Sequence, residues 1–181
     1  MTRLVLALGL IGTCFAAPLS ATTVFPTGVT WTPGAQADLG EPRSNTGNAL
    51  DGISGQFLSL GIGGIADFTF GRSVAGDISI TEVTNGARAS YLERAEVLVG
   101  SKGVFTSLGM IDNSAAEIVL AYSGVFDTLR IRDDSPMIDT LRDGFDIDGI
   151  TVSPVPLPAA ATLLLGGVGI LGALRLRRTT A

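Results

Sequence analysis

Short stretches in which apolar and polar residues alternate, each closed by a turn signal, run through residues 22–153. The clearest are 77–84, in which Ile78, Ile80 and Glu82 share one parity, and 94–99. Because successive side chains of a strand point to opposite faces, this alternation is typical of strands with one buried face. Runs this short and free of helical periodicity exclude a helical bundle and predict antiparallel sheets.

Eight or nine strands are predicted in this segment, and residues 33–54, rich in Gly, Pro and Asn, are predicted to be a loop. The predicted strands are 22–32, 57–62, 65–70, 77–84, 94–99, 104–108, 117–122, 126–132 and 145–152. Strands of this length and spacing predict an all-β fold, an antiparallel sandwich of jelly-roll type. A domain of about 130 residues buries an adequate core without disulfides.

Residues 1–21 have the layout of a secretory signal peptide: Arg3, an apolar stretch and then small residues. Cleavage is expected after Ala21, with Ala16 as the second choice. An uncleaved N-terminal anchor is the alternative, and a lipobox at Cys14 is a weaker one. Cys14 is the one cysteine of the chain, so an intrachain disulfide is excluded.

An apolar run near the C-terminus, residues 157–174, carries no charge over 18 residues. Its length is close to the minimum of about 17–20 residues for a helix that crosses a bilayer. Arg175, Arg177 and Arg178 follow at once, and such clusters stay on the cytoplasmic side. The expected topology places residues 22–153 outside and the arginine tail inside.

The segment Val155-Pro156-Leu157-Pro158-Ala159, followed by the apolar run and the arginines, resembles the VPLPA-CTERM sorting signal. This signal is a variant of the PEP-CTERM signals of Gram-negative bacteria. The resemblance implies recognition by an exosortase in the membrane, cleavage near the proline motif, and delivery to the cell surface or exopolysaccharide matrix. The alternative is a plain single-pass anchor. The expected division is a signal peptide (1–21), a secreted β-sandwich domain (22–153) and a sorting signal (154–181).

The order of segments in the middle of the chain is similar to that of galactose-binding-like, discoidin-type β-sandwiches. The segments that carry this likeness are 58–70, 78–83, 93–101, 105–109, 129–133 and 143–148. The resemblance implies a sandwich of the kind common in secreted bacterial proteins. It implies no particular ligand, because one fold hosts many functions.

Charge and composition remove several classes of function. Residues 22–153 hold all 17 acids and 12 − 1 − 3 = 8 bases, a net charge of −9. An acidic domain argues against nucleic acid as a partner and favours cations or neutral ligands. The chain has no histidine, which excludes a His-based triad and an ordinary zinc site. No catalytic residue and no resident cofactor other than structural calcium is predicted.

An acidic stretch, residues 133–148, is the one candidate metal site. Calcium takes about 6–8 oxygen ligands, and carboxylates on a loop beside a strand supply several of them. The candidate calcium ligands are Asp133, Asp134, Asp143, Asp146 and Asp148, and Asp139 lies in the same stretch. The alternative is a solvated acidic edge that blocks pairing with other strands.

Three aromatic residues are candidates for stacking on sugars: Trp31, Tyr91 and Tyr122. For Trp31 the alternative is packing inside the sandwich. Arg130 and Arg132 share one strand face, where they would hold a sugar hydroxyl or pair with acids.

The function predicted from the sequence is that of an exported, non-enzymatic protein of the cell surface or exopolysaccharide matrix. The second hypothesis is a carbohydrate-binding adhesion module. The third is a carboxylate-based glycoside hydrolase, which would need two acids about 5–10 Å apart across a sugar.

Overall fold

The computed structural model describes residues 22–36, 42–50, 52, 55–83, 91–137 and 143–154. The predicted signal peptide, and the predicted sorting signal from Val155 through Arg178, lie outside these residues and stay predictions. Within the described part of the chain, no helix is long and apolar enough to span a membrane.

The described residues contain nine strands and one 3-10 turn, at residues 46–49. The strands are β1 (Gly28–Thr32), β2 (Leu58–Ser59), β3 (Ile65–Val74), β4 (Asp77–Glu82), β5 (Arg94–Ser101), β6 (Val104–Asp112), β7 (Glu117–Leu120), β8 (Phe126–Asp133) and β9 (Asp146–Ser153). The prediction of an all-β chain is confirmed for this part of the molecule.

The strands form two sheets in which every pairing is antiparallel. One sheet has five strands in the order β1-β3-β8-β5-β6, and the other has four in the order β2-β9-β4-β7. The predicted antiparallel sandwich is therefore confirmed. Some neighbouring strands, such as β3 and β8, are distant in the sequence.

The core lies between the sheets and is built from the alternating apolar positions. Phe68, Leu129 and Val97 face inward from the five-stranded sheet, and Ile80 and Ile150 from the other, each 0–1% exposed. Each such side chain, once buried, contributes roughly 1.5–3 kcal/mol. The alternation seen in the sequence is thus the pattern of one buried face per sheet.

Two predicted strands differ from the observed ones. The predicted strand 57–62 shortens to β2, because the carbonyl of Leu60 accepts hydrogen bonds from Gly34 N and Trp31 Nε1 and so leaves the ladder. β3 runs on to Val74, past a bulge that includes Gly71 at φ 65°. Glycine adopts this left-handed conformation without strain, which lets the strand bend and continue.

The two ends of the sandwich differ in their connections. The turn end has short ones: Lys102-Gly103 between β5 and β6, residues 75–76 between β3 and β4, and residues 121–125 between β7 and β8. Lys102 and Gly103 have φ of 53° and 81°, as a two-residue hairpin turn requires. The opposite end, which we call the loop end, is where β1, β4, β6 and β8 finish.

Candidate functional site

A cleft opens at the turn end, between the β5–β6 hairpin and the connection from β7 to β8. Its volume is about 240 Å³. It is lined by Val99, Gly100, Ser101, Val104, Thr106, Tyr122, Val125 and Phe126. We call it the Tyr122 cleft. The lining combines three valines and two aromatic rings with the hydroxyls of Ser101 and Thr106.

The Tyr122 side chain packs against Phe126 and Gly124. Its ring lies 5.8 Å from that of Phe126 in an edge-on arrangement, at 64°. Gly124 makes room for it, since a Cβ at that position would lie 2.3 Å from Tyr122 Oη. The observed position of the Tyr122 ring therefore requires a residue without a side chain at position 124.

A second cleft has a volume of about 380 Å³. Its lining is polar: Thr69, Gly71, Arg72, Ser73, Asp127 and Thr128. The carboxylate of Asp127 accepts hydrogen bonds from Ser101 Oγ at 2.8 Å and from Thr128 Oγ1 at 2.9 Å. Ser101 lines the first cleft and Thr128 the second, so Asp127 accepts a hydrogen bond from one residue of each.

Arg130 and Phe105 form a closed stack on the outer face of the five-stranded sheet. Arg130 donates to both carboxylate oxygens of Asp67 at 2.7 Å, a hydrogen bond that raises the pKa of the arginine. Its guanidinium lies 4.0 Å from the centroid of the Phe105 ring. A Cβ on Gly100 would lie 2.6 Å from that ring. Gly100 and Arg130 therefore pack against the ring and limit the surface it offers for stacking.

Arg132 donates to Glu96. Both arginines that the sequence singled out thus pair with acids, as one of the two alternatives expected.

The three candidate aromatic residues do not come together. Trp31 packs against the core and donates to the carbonyl of Leu60 at 3.2 Å, and Tyr91 is 6% exposed with its hydroxyl donating to the carbonyl of Pro136. Of the three, Tyr122 lines one of the two clefts described above, and Trp31 and Tyr91 line neither.

Asp133 is a buried hydrogen-bond acceptor that ties three segments together. Oδ1 accepts from the amides of Gly63 at 2.9 Å and Ser135 at 3.2 Å. Oδ2 accepts from Phe145 N at 2.8 Å and Ser135 Oγ at 2.6 Å. Each carboxylate oxygen therefore already has two donors.

The other four predicted calcium ligands lie in different surroundings. Arg43 Nη2 lies 2.7 Å from Asp143 and 3.1 Å from Asp146, and the amide of Gly55 donates to Asp148 at 3.1 Å. Asp134 is exposed. Burial raises the pKa of Asp146 well above its usual value, with the charge of Asp143 adding to the effect.

The burial of these acids bears on the alternative that the acidic stretch is a solvated edge. The solvated edge is wrong for Asp133, Asp146 and Asp148, which are only 2–3% exposed. Among the described residues, no group of three or more acids has the arrangement of a metal site. The calcium site stays a prediction.

Two further buried acids, Glu82 and Glu93, escaped the sequence reasoning. Glu82 is 2% exposed and Glu93 6%. The strand alternation held a signal, because Glu82 has the same parity as Ile78 and Ile80 and so lies on the inward face. Burial, followed by the charge of Glu82, raises the pKa of Glu93 to about 8.

Comparisons with known proteins place the fold. No family model and no curated protein matches the chain. Among solved structures, the CBM32 domain of AlyQ, in complex with 4,5-unsaturated mannuronic acid, is similar over 72% of this chain and 97% of its own, with a TM-score of 0.55 and 14% identity. A pectin-binding carbohydrate-binding module is similar over 77% of this chain and 96% of its own, with a TM-score of 0.56 and 12% identity.

The family 32 carbohydrate-binding module of NanJ from C. perfringens, in complex with galactose, is also similar. The likeness covers 72% of this chain and 98% of that one, with a TM-score of 0.51 and 15% identity. At these identities the comparisons show the fold, which is that of the discoidin-like sandwiches of carbohydrate-binding modules. The fold that the sequence resemblance implied is confirmed.

Proposed function

We propose that this chain is an exported, non-catalytic protein whose β-sandwich binds carbohydrate in the Tyr122 cleft. The observation that carries the proposal is the cleft itself, whose lining combines the ring of Tyr122 with the hydroxyls of Ser101 and Thr106. The fold shared with carbohydrate-binding modules supports it. Carbohydrate binding, the second hypothesis from the sequence, thereby becomes the leading one.

The chemistry of the cleft suits a sugar. Apolar C–H faces of a pyranose pack on aromatic rings, and Tyr122 offers such a ring. Thr106 supplies a hydroxyl that both donates and accepts, and Ser101, which donates its hydrogen to Asp127, supplies one that accepts. A cleft this small holds a single sugar residue, so we expect weak binding, with Kd on the order of 0.1–1 mM, strengthened by several copies along a polymer.

A neutral sugar fits the electrostatics better than an acidic one. The domain carries a net charge of −9, which repels polyanions at low ionic strength. The residues that line the Tyr122 cleft include no cation. Neutral residues of an exopolysaccharide are therefore the ligand class that we propose.

The Tyr122 cleft lacks the acids that glycoside hydrolysis would need. Glycoside hydrolysis needs two carboxylates flanking the scissile bond. The described lining of the Tyr122 cleft contains no acid, and Asp127 beside it is engaged by two hydroxyls. A hydrolase, the third hypothesis from the sequence, finds no support in this cleft.

The route to the surface is proposed from the sequence alone. Residues 1–21 direct export, and an exosortase cuts the chain near Val155–Ala159 while residues 157–174 span the inner membrane. The product then reaches the surface or the exopolysaccharide matrix of a Gram-negative cell. The alternative function is that of a structural matrix protein that binds no sugar.

The test is titration of the purified chain with neutral mono- and oligosaccharides, chosen by a glycan array. Tyr122→Ala should weaken binding at least tenfold, because it removes the stacking ring. Val119→Ala is the matched control, since Val119 is 60% exposed on β7 and is not among the residues that line either cleft. Full binding by the Tyr122→Ala protein would refute the site, and no saturable sugar binding would leave the structural alternative.

A further inference from the structure

The larger of the two clefts combines a cation and a carboxylate with hydroxyl groups. Its charged residues are Arg72 and Asp127, and its hydroxyls belong to Thr69, Ser73 and Thr128. We call it the Arg72 cleft. An arginine only donates hydrogen bonds and a carboxylate only accepts them, whereas each hydroxyl of a sugar does both. The two charged residues together therefore suit a ligand that is rich in hydroxyls.

A bulge in β3 forms one wall of the Arg72 cleft. Thr69 pairs with Thr128 of β8, and the next pair is Val74 with Phe126. Four residues of β3 therefore lie opposite the single residue Asp127. Because the surplus chain leaves the ladder, the arginine of the cleft is carried on the wall opposite that carboxylate, and bulges re-aim side chains in this way.

The bulge is packed against the segment before β1. Gly71 has φ 65°, and a Cβ at this position would lie 3.3 Å from Thr27 Oγ1. The amide and the hydroxyl of Thr27 both donate to the carbonyl of Thr69, at 2.7 Å and 3.2 Å. The wall that carries Arg72 is therefore tied to a neighbouring segment on the side away from β8.

Hydrogen-bonding capacity is left over on both walls of the Arg72 cleft. In the part of the chain that the structure describes, Arg43, Arg130 and Arg132 each pair with an acid, whereas the exposed Arg72 has no ion pair or hydrogen bond. Each carboxylate oxygen of Asp127 accepts one hydroxyl hydrogen and has a second lone pair. The cleft therefore offers a charged donor and a charged acceptor to a ligand.

The linings of the Arg72 cleft and the Tyr122 cleft meet on neighbouring strands. Gly100, which lines the Tyr122 cleft, pairs directly with Thr128 of the Arg72 cleft. Along β8, Phe126 lines the first cleft and the next residue, Asp127, lines the second. Neighbouring strands lie about 4.8 Å apart, so one strand spacing separates these parts of the two linings. A chain of linked sugars can thus place consecutive residues in the two clefts.

We propose that the Arg72 cleft is a second subsite, which holds the sugar residue adjacent to the one in the Tyr122 cleft. This inference rests on the proposed carbohydrate binding, and it defines the ligand as a chain of at least two linked neutral sugars. Arg72 donates to one hydroxyl oxygen, and Asp127 accepts from a neighbouring hydroxyl. Hydrogen bonds to charged groups are stronger than those between neutral groups. The charges of the two residues cancel, as a neutral sugar requires.

The experiment is calorimetric titration of the full chain with three neutral series: glucose with cello-oligosaccharides, galactose with galacto-oligosaccharides, and mannose with manno-oligosaccharides. In the series that binds, the disaccharide should bind about tenfold more tightly than the monosaccharide, the effect of one good hydrogen bond to a charged group. Arg72→Ala should remove this gain and leave the monosaccharide affinity unchanged. Arg94→Ala is the matched control, because it removes the same charge from an exposed residue that lines neither cleft.

The outcomes separate this subsite from the Tyr122 cleft, since Tyr122→Ala should weaken the monosaccharide and the disaccharide alike. Equal affinity of the wild-type chain for both, or a gain that persists in Arg72→Ala, would overturn the second subsite and leave the Tyr122 cleft standing. Loss of the gain in Arg94→Ala as well would trace it to net charge and would also overturn the subsite. Saturable binding of no sugar in any series would overturn both proposals.

Discussion

Asp133→Asn should destabilise the fold more than any other single isosteric change at the predicted calcium ligands. Each carboxylate oxygen of Asp133 accepts a backbone N–H, from Gly63 on one side and Phe145 on the other. An amide replaces one oxygen with an NH₂ group, which then faces a backbone donor. The site is 3% exposed, so no bulk water replaces the lost acceptor.

The size of the destabilisation follows from the new NH₂ group and the backbone N–H that it faces, since both are donors. A lost hydrogen bond to a charged group costs about 1.5–3 kcal/mol, and an unsatisfied buried donor about 1–3 kcal/mol. Because these contributions overlap, we expect the free energy of unfolding to fall by about 3–5 kcal/mol. For a domain of this size the melting temperature should fall by roughly 10–20 °C.

Urea denaturation of the full chain, followed by far-UV circular dichroism, measures the change. Asp127→Asn is the matched control, because the partners of Asp127 are the hydroxyls of Ser101 and Thr128, which rotate to accept from an amide. Its loss should stay below about 1 kcal/mol. Equal losses in the two variants, or a loss below 1 kcal/mol for Asp133→Asn, would refute the reasoning.

Three further predictions concern Gly124, the processing of the C-terminus and calcium binding. Gly124→Ala should weaken sugar binding by Tyr122 severalfold without unfolding the chain, since its methyl displaces the phenol; unchanged titration curves would contradict this. Intact mass of the protein released from the cell surface should show an end near Ala159, whereas a mass that retains residues 163–178 would leave the plain anchor. The calcium hypothesis predicts that calcium raises the melting temperature by roughly 5–10 °C over sodium chloride of equal ionic strength. Coincident melting curves in calcium and in sodium chloride would exclude the calcium site. Backbone amides and Arg43 would then be the partners of these acids.

The strands could be predicted because their signal is local. Ile78 and Ile80 alternate with polar residues, and the Lys102-Gly103 turn is read from its own residues. The same alternation placed Glu82 inward, a signal that the sequence reasoning passed over because glutamate is seldom fully buried.

The partners of the polar residues could not be predicted, because they come from distant segments. Arg130 meets Asp67, 63 residues earlier, and Asp133 accepts from Gly63, 70 residues earlier. These contacts exist only once β3 lies beside β8. A run of aspartates therefore looks the same in sequence whether it ligates calcium, faces water or accepts buried amides.

The aromatic candidates separate for a similar reason. Trp31, Tyr91 and Tyr122 are equivalent as ring types in the sequence, and only the packing around each ring distinguishes them. The Trp31 indole has a partner in the carbonyl of Leu60, which lies just beyond β2, and the room for Tyr122 exists because Gly124 carries no side chain.

The most direct test of the central claim is an amide chemical-shift titration of the full chain with the neutral monosaccharide that binds best. We expect saturable shifts confined to the Tyr122 cleft, at Gly100, Ser101, Thr106 and Tyr122. Saturable shifts at the loop end instead, for example at Asn113 and Ala116, would contradict the proposed site. The absence of saturable shifts with any neutral sugar would contradict carbohydrate binding itself.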